Sequence, residues 1–119
     1  MYDDSPSETV ASTRVNSRRL ADYVGQMVRL PCKVLKFEAE GVIVEAADGG
    51  QVTVTTPMDP ATKIPNELSQ YVEIVGKVEN ASKIKTRGCI NMGDDLDMKL
   101  VNDTIELIHD ARFYQKMFR

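Results

Sequence analysis

Short segments with the residue alternation of β-strands fill most of the chain between residues 26 and 92, and each is bounded by turn residues. Five strands are predicted, over residues 26–38, 41–46, 51–56, 71–79 and 83–92. Strands this short would leave unpaired edges in an open sheet, so the pattern favours a small closed or half-closed barrel. An α+β sandwich with a helix across one sheet is the alternative.

Single residues predict where these strands turn or bend. The sequence Asp48-Gly49-Gly50 predicts a hairpin turn between the second and third strands. Pro31 predicts a bulge or bend in the first strand, and Gly76 a bend or close approach in the fourth. Strict alternation in the fifth strand predicts one face that comprises Ile84, Thr86, Gly88 and Ile90.

Two helices flank the predicted strands. Residues 17–24 predict a short helix that Asn16 or Ser17 caps and Gly25 ends. A longer helix follows a predicted cap at Asp97. At about 100° per residue, its apolar side comprises Leu100, Val101, Thr104, Ile105, Leu107, Ile108 and Ala111. With Leu96 and Met98 this arc approaches roughly 200°, whereas packing on one body needs a stripe of about 100° or more.

The residues needed for catalysis or for a metal centre are not recognisable in the sequence. His109, the one histidine, lies on the polar side of the long helix with no evident nucleophile near it. The acidic cluster at 94–97 lacks the spacing of a calcium loop, and Cys32 and Cys89 lack the pairing of a zinc site. We therefore expect a non-enzyme without metal or cofactor, with two buried free thiols.

Membrane insertion and extensive nucleic-acid contact are also disfavoured by the sequence. No apolar run approaches the ~20 residues that span a bilayer, and the formal net charge is −3. The second and third strands, the usual nucleic-acid face of five-stranded Greek-key barrels, contain no aromatic residue and no cation. Phe37 is expected in the core. A basic row on the fifth strand is interpreted as a solvated face, with weak nucleic-acid contact as the alternative: Lys83, Lys85 and Arg87, assisted by Lys33 and Lys36.

Several segments, taken in order, resemble the smallest subunit of replication protein A, the heterotrimeric single-stranded-DNA-binding complex of eukaryotes. The similarity extends from about residue 14 to 115 and depends on pattern and order rather than on one motif. The matching segments are Arg14-Val15-Asn16, residues 72–78, Leu96-Asp97, Leu100, Asn102-Asp103, Ile108-His109-Asp110 and Phe113-Tyr114.

The resemblance implies an all-β fold: a five-stranded OB-fold barrel with a short N-terminal helix and a C-terminal helix used for oligomerisation. We expect a flexible tail (1–13), the barrel (14–96) and an assembly helix with its tail (97–119). The helix would join helices of the middle and large subunits in a three-helix bundle, which explains its wide apolar arc.

The implied function is that of a nuclear, non-catalytic scaffold in replication, repair and recombination, which reaches single-stranded DNA through the complex. Two alternatives remain open. One is a stand-alone OB module that binds single strands through the basic row, and the other is the small subunit of a related telomere-capping trimer.

Overall fold

The computed structural model describes residues 12–39, 41–55 and 67–110. Six strands are present: β1 (Thr13–Arg14), β2 (Met27–Glu38), β3 (Gly41–Ala46), β4 (Gln51–Thr55), β5 (Tyr71–Asn80) and β6 (Lys83–Gly93). A 3₁₀ helix spans Ser17–Tyr23, and an α-helix, α1, spans Met98–Ile108. The five predicted strands correspond to β2–β6 with ends that differ by one residue at most.

The strands close into a barrel because β2 has two partners. The strand order in the sheet is β1-β2-β3-β4-β6-β5. Strand β2 also pairs with β5, so strands β2 to β6 form a closed ring and β1 lies outside it. The five-stranded barrel with OB-fold strand order is thereby confirmed, and an open sandwich sheet is excluded. Strand β1 was not predicted. It pairs in parallel with β2 through Thr13↔Val28 and Arg14↔Arg29, so Thr13 does not belong to the expected tail.

Small β-branched side chains fill the barrel interior. The core also takes in Val15 and Leu20 from the N-terminal segment (residues 13–23). Its other large, fully buried side chains are Leu30, Val28, Val44, Val52, Val54, Val72, Val78 and Ile84. The apolar cavity beside Val34 and Leu68 measures about 20 Å³, close to the volume of one water probe. The interior is therefore packed, and the surface of the described residues has to supply any larger binding site.

Strand β2, the first of the predicted strands, has its bulge at a different residue from the one predicted. The β2–β3 register skips Leu35, between Val34 and Lys36, whereas Pro31 remains in register opposite Glu73 of β5. Pro31 is tolerated because β1 pairing stops at Arg29 and β3 pairing starts at Cys32, which leaves its second edge without a strand partner. The bulge predicted at Pro31 is therefore wrong by four residues.

The predicted alternation of the last strand is also wrong beyond Thr86. Thr86 pairs with Gly76 and Gly88 pairs with Val75, so Arg87 is an extra residue in β6. One added residue exchanges the two faces of everything that follows. As a result Cys89 is buried, whereas Ile90 is 49% exposed.

The short N-terminal helix is capped from a distant turn. Asn16 makes no capping hydrogen bond. The Asp48 carboxylate instead accepts hydrogen bonds from the Ser17 hydroxyl (2.8 Å) and from the backbone N–H groups of Ser17 (3.2 Å) and Arg18 (3.0 Å). Burial raises the pKa of Asp48, but these bonds and one from Gly50 outweigh it and leave the pKa below its usual value. Asp48 thus fastens the N-terminal segment to the β3–β4 turn.

Gly76→Val is expected to lower the free energy of unfolding by about 1–3 kcal/mol, as overpacking in a core does. Gly76 is buried, and a Cβ atom there would overlap the backbone carbonyl of Lys85 and lie 2.7 Å from Cγ2 of Ile84. Lys77→Val, on the exposed neighbour, is the matched control and should be nearly neutral. Equal urea midpoints for the two variants would contradict the close approach of β5 and β6.

Candidate functional site

Helix α1 begins and ends at residues that satisfy its free backbone groups. The Asp97 side chain accepts a hydrogen bond from the backbone N–H of Leu100 at 3.1 Å, as predicted, and its charge meets the positive end of the helix dipole. At the other end, the His109 N–H donates to the carbonyl of Ile105 at 3.2 Å. Both ends of the helix are therefore defined within the described residues.

The helix faces the rest of the protein with its polar side. The Asn16 amide nitrogen donates to Oδ1 of Asn102 and to Oε2 of Glu106, both at 2.7 Å. Arg19 binds the same carboxylate through Nη2 (2.6 Å to Oε1) and Nε (3.1 Å to Oε2). We call these four residues, Asn16, Arg19, Asn102 and Glu106, the polar lock. Asn16 is fully buried, so the polar lock lies at the junction of the helix and the N-terminal segment.

The two ionisable residues of the polar lock, Arg19 and Glu106, are both charged near neutral pH. The hydrogen bonds from Arg19 and then from Asn16 lower the pKa of Glu106 to about 2. The same bond raises the pKa of Arg19. Arg18 adds a longer contact with Glu106, at 3.8 Å. A bidentate arginine–carboxylate pair has a fixed geometry, so it sets an orientation as well as a distance.

His109 holds the end of the helix to strand β1. Its Nε2 lies 2.9 Å from the carbonyl oxygen of Arg14, and its ring meets the edge of Tyr23 with centroids 5.9 Å apart. The Arg14 guanidinium is in turn 2.6 Å from the buried carboxylate of Glu73 on β5. His109 therefore connects the helix to the barrel through the N-terminal segment.

Ile105 requires a correction, because it was predicted at a partner interface and is only 1% exposed in this chain. It lies beside His109 and Asn102, at the margin of the side of the helix that faces the protein. At about 100° per residue it stands at the edge of the predicted apolar arc, next to the polar side. The chain itself covers this end of the arc, so Ile105 is not available to a partner.

The opposite side of the helix is apolar and exposed. We call Leu100, Thr104, Leu107 and Ile108 the apolar face; Leu100 is 62% exposed, Leu107 48% and Ile108 38%. The Thr104 hydroxyl donates to the Leu100 carbonyl at 2.9 Å, so its hydrogen bond is made within the helix. Val101 is half-buried at the margin, and Ala111 lies outside the described residues.

The predicted basic row lies on β6, and the pairing of β6 with β4 includes two of its three residues. Lys83 and Lys85 pair with Thr53 and Thr55 of β4, whereas Arg87 is the extra residue beyond that pairing. The structure thus brings the two lysines beside β4, one of the two predicted nucleic-acid strands, and leaves Arg87 exposed two residues further along β6. The Lys83 Nζ atom lies 4.0 Å from a carboxylate oxygen of Glu79, which partly offsets its charge.

A shallow groove lies beside this pair of lysines. It has a volume of about 260 Å³ and is lined by Glu38, Ala39, Gly41, Val42, Thr53, Thr55 and Lys83. Lys36 stands in the same cross-strand row as Thr53 and Lys83, but its Nζ atom is 3.2 Å from Glu38. Phe37 is 67% exposed, so the expectation that it belongs to the core is wrong.

The acidic cluster at 94–97 and the two cysteines, which were also considered as chemical sites, have structural surroundings. The Asp94 carboxylate accepts the N–H of Gln70 at 2.8 Å, and Asp97 caps α1. Cys32 and Cys89 are free and buried, and burial raises the pKa of both thiols, that of Cys89 to about 11. Within residues 12–39, 41–55 and 67–110, no group of three histidine, cysteine or acidic side chains could hold a metal ion, and no helix is long and apolar enough to cross a membrane.

Comparisons with known proteins agree on one family. The family described as Replication factor A protein 3 matches residues 7–114. A replication protein A 14 kDa subunit of Arabidopsis thaliana is 29% identical over 93 residues, which cover 78% of this chain and 82% of that protein. The corresponding 14 kDa subunit of Oryza sativa subsp. japonica is 30% identical over 93 residues, with the same coverage of 78% and 82%.

Solved structures extend the likeness to the fold. A chain in the structure of U. maydis replication protein A bound to ssDNA has a TM-score of 0.73 and 27% identity, with 90% of this chain and 94% of that chain covered. The telomere capping protein Ten1 from Saccharomyces pombe has a TM-score of 0.65, 12% identity and coverage of 83% and 98%, and shares the fold alone. The chain therefore belongs to the replication factor A protein 3 family, the smallest subunits of replication protein A.

Proposed function

We propose that this chain is a non-catalytic assembly subunit of a heterotrimeric replication protein A, and that the apolar face of α1 packs against helices of the middle and large subunits in a three-helix bundle. The observation that carries the proposal is the orientation of α1. Its polar side is bound to the protein itself, while Leu100, Leu107 and Ile108 point outward. Val101 belongs to the margin of the proposed interface, and Ala111, outside the described residues, stays a sequence-based prediction for it.

The energetics of the apolar face favour this function. Full burial of a leucine or isoleucine side chain contributes about 1.5–3 kcal/mol relative to exposure. Three such side chains on one face of a helix form the kind of patch that marks an association surface. The caps and contacts of α1 order the helix before association, which reduces the entropy lost on binding.

Single-stranded DNA would reach this subunit mainly through the complex. The outer sides of β3 and β4 carry no aromatic residue on which a base could stack, and Lys36 and Lys83 have acidic neighbours. The proposed role in replication, repair and recombination, and a nuclear location, follow from membership of the family. They belong to the assembled trimer rather than to an isolated barrel.

The groove beside Lys83 supports a second candidate, a module that binds single strands by itself. Lys83 and Lys85 flank β4, and Phe37 is exposed nearby on β2. Weak phosphate contact by Lys83, Lys85 and Arg87 is compatible with the assembly function, but strong binding by the free chain is not. A telomere-capping trimer would use the same surfaces, so the choice between the two trimers depends on which partner chains are captured.

The double variant Leu100→Asp plus Leu107→Asp is expected to abolish assembly with co-expressed middle and large subunits. Two charges in a dry interface are strongly unfavourable, and affinity should fall by at least ~10²-fold. Thermal melting of the free chain should change little because both positions are exposed. Lys99→Ala plus Asp103→Ala, an exposed pair on the same helix, is the control. Normal co-purification of the aspartate variant would refute the proposed interface.

The isolated chain is expected to bind single-stranded oligonucleotides only weakly, with a Kd above ~10 μM at moderate salt. Base stacking normally adds about 1–3 kcal/mol per base, and β3 and β4 carry no aromatic residue that could supply it. Fluorescence anisotropy with a labelled oligothymidylate measures this affinity. Lys83→Ala plus Lys85→Ala should reduce both the residual binding and its salt dependence. Submicromolar binding by the free chain would favour the stand-alone module instead.

A further inference from the structure

We infer that the polar lock is a positioning device: Asn16, Arg19, Asn102 and Glu106 hold α1 in a single rotational setting, so that the apolar face is already turned outward when the partner helices arrive. The inference rests on the proposed function. It assigns a part in assembly to four residues that lie outside the proposed interface.

Rotation of α1 about its own axis would change which of its two sides meets the barrel and which meets solvent. The side that meets the protein comprises Asn102, Ile105, Glu106 and His109, and the apolar face lies almost opposite. Each set spans about 100° of the helix at ~100° per residue. A rotation by half a turn would bury Leu100 and Leu107 against the barrel and leave the partners a polar surface.

The hydrophobic effect by itself would favour that rotation. The observed setting exposes three large apolar side chains and buries only Ile105 of this helix. One isoleucine provides no directional restraint, because apolar contacts are non-directional. The observed setting therefore needs contacts that are lost when the helix turns.

The polar lock provides those directional contacts. The Asn16 amide reaches two side chains one helical turn apart, Asn102 and Glu106, at 2.7 Å each. Arg19 donates hydrogen bonds to both carboxylate oxygens of Glu106, from Nη2 to Oε1 at 2.6 Å and from Nε to Oε2 at 3.1 Å. Turning the helix would leave the buried Asn16 amide nitrogen without an acceptor, which carries the desolvation penalty of an unpaired donor. Rotation of the helix is thus opposed even though it would cover apolar surface.

Residues 13–23, which include Asn16 and Arg19 of the polar lock, are themselves fixed to the barrel. Asp48 caps the 3₁₀ helix that contains Arg19, and Glu73 binds Arg14 at 2.6 Å and Arg29 at 3.5 Å. The carboxylate of Glu73 is only 3% exposed. Restraint is therefore transmitted from β2, β5 and the β3–β4 turn through residues 13–23 to the helix.

Hydrogen exchange and binding measured on the same full-length variants test the inference. Glu106→Ala removes the centre of the lock, and Asp103→Ala makes the same change at an exposed carboxylate of the same helix, paired with Lys99. We expect α1 amides, including that of His109, to exchange at least tenfold faster in Glu106→Ala and to be unchanged in Asp103→Ala. Amides of β2 and β5 should be unchanged in both.

Binding to a purified pair of middle and large replication protein A subunits supplies the second readout. If only the correctly set helix binds, the apparent Kd rises by the factor by which its population falls. Because the rotated setting covers more apolar surface, we expect it to dominate once the lock is lost, with the correct setting reduced to about a tenth and binding about tenfold weaker for Glu106→Ala. Glu106→Gln keeps an acceptor for Asn16 but loses the charge that Arg19 binds, and it should lie between Glu106→Ala and wild type in both readouts.

Each remaining outcome has a distinct meaning. Unchanged α1 exchange in Glu106→Ala would overturn the inference, because the lock would not hold the helix. Faster exchange with unchanged affinity would also overturn it, because the setting of the helix would not matter for assembly. Failure of the proposed function has a different signature, in which the wild-type chain itself does not bind the subunit pair.

Discussion

The contact between Glu106 and the N-terminal segment determines which side of the C-terminal helix meets solvent. Without it, an amphipathic helix on a small barrel would be expected to bury its apolar stripe. Here Asn16 and Arg19 hold the polar side inward, and Leu100, Leu107 and Ile108 are left exposed. The candidate interface is therefore a consequence of a polar contact on the opposite side of the same helix.

The barrel contributes to this arrangement as a rigid support. Pairing of β2 with both β3 and β5 closes the sheet, and the interior is filled mainly by valine side chains. Three carboxylates then fix residues 13–23 from three directions: Asp48 from a turn, Glu73 from a strand and Glu106 from α1. Because Ile105 is also covered, α1 is an integrated part of the domain rather than a free appendage.

Local sequence signals predicted the strands and the cap of α1, because turns and caps depend on neighbouring residues. Asp48-Gly49-Gly50 marks the β3–β4 turn, and Asp97 caps α1. The bulges at Leu35 and Arg87 were missed, since one added residue leaves the composition of a strand unchanged but exchanges its faces. The binding of the polar side of α1 to the N-terminal segment was missed because Asn102 and Glu106 bind a residue 86 and 90 positions away. The available signal was their spacing: Glu106 and His109 follow Asn102 by about one and two helical turns, so the three polar side chains share one side of the helix.

Thiol labelling of the assembled trimer tests most directly whether the apolar face is the assembly surface. Both native cysteines are buried, and burial raises their pKa, so that a single introduced cysteine can be labelled selectively. Leu107→Cys lies on the apolar face, and Lys99→Cys, at a position whose side chain is 86% exposed, lies off it. Assembly should slow the labelling of Leu107→Cys by on the order of 100-fold or more, as expected for a thiol in a dry interface, and leave Lys99→Cys reactive. Equal labelling of Leu107→Cys in the free chain and in the trimer would show that the helix does not meet its partners through this face.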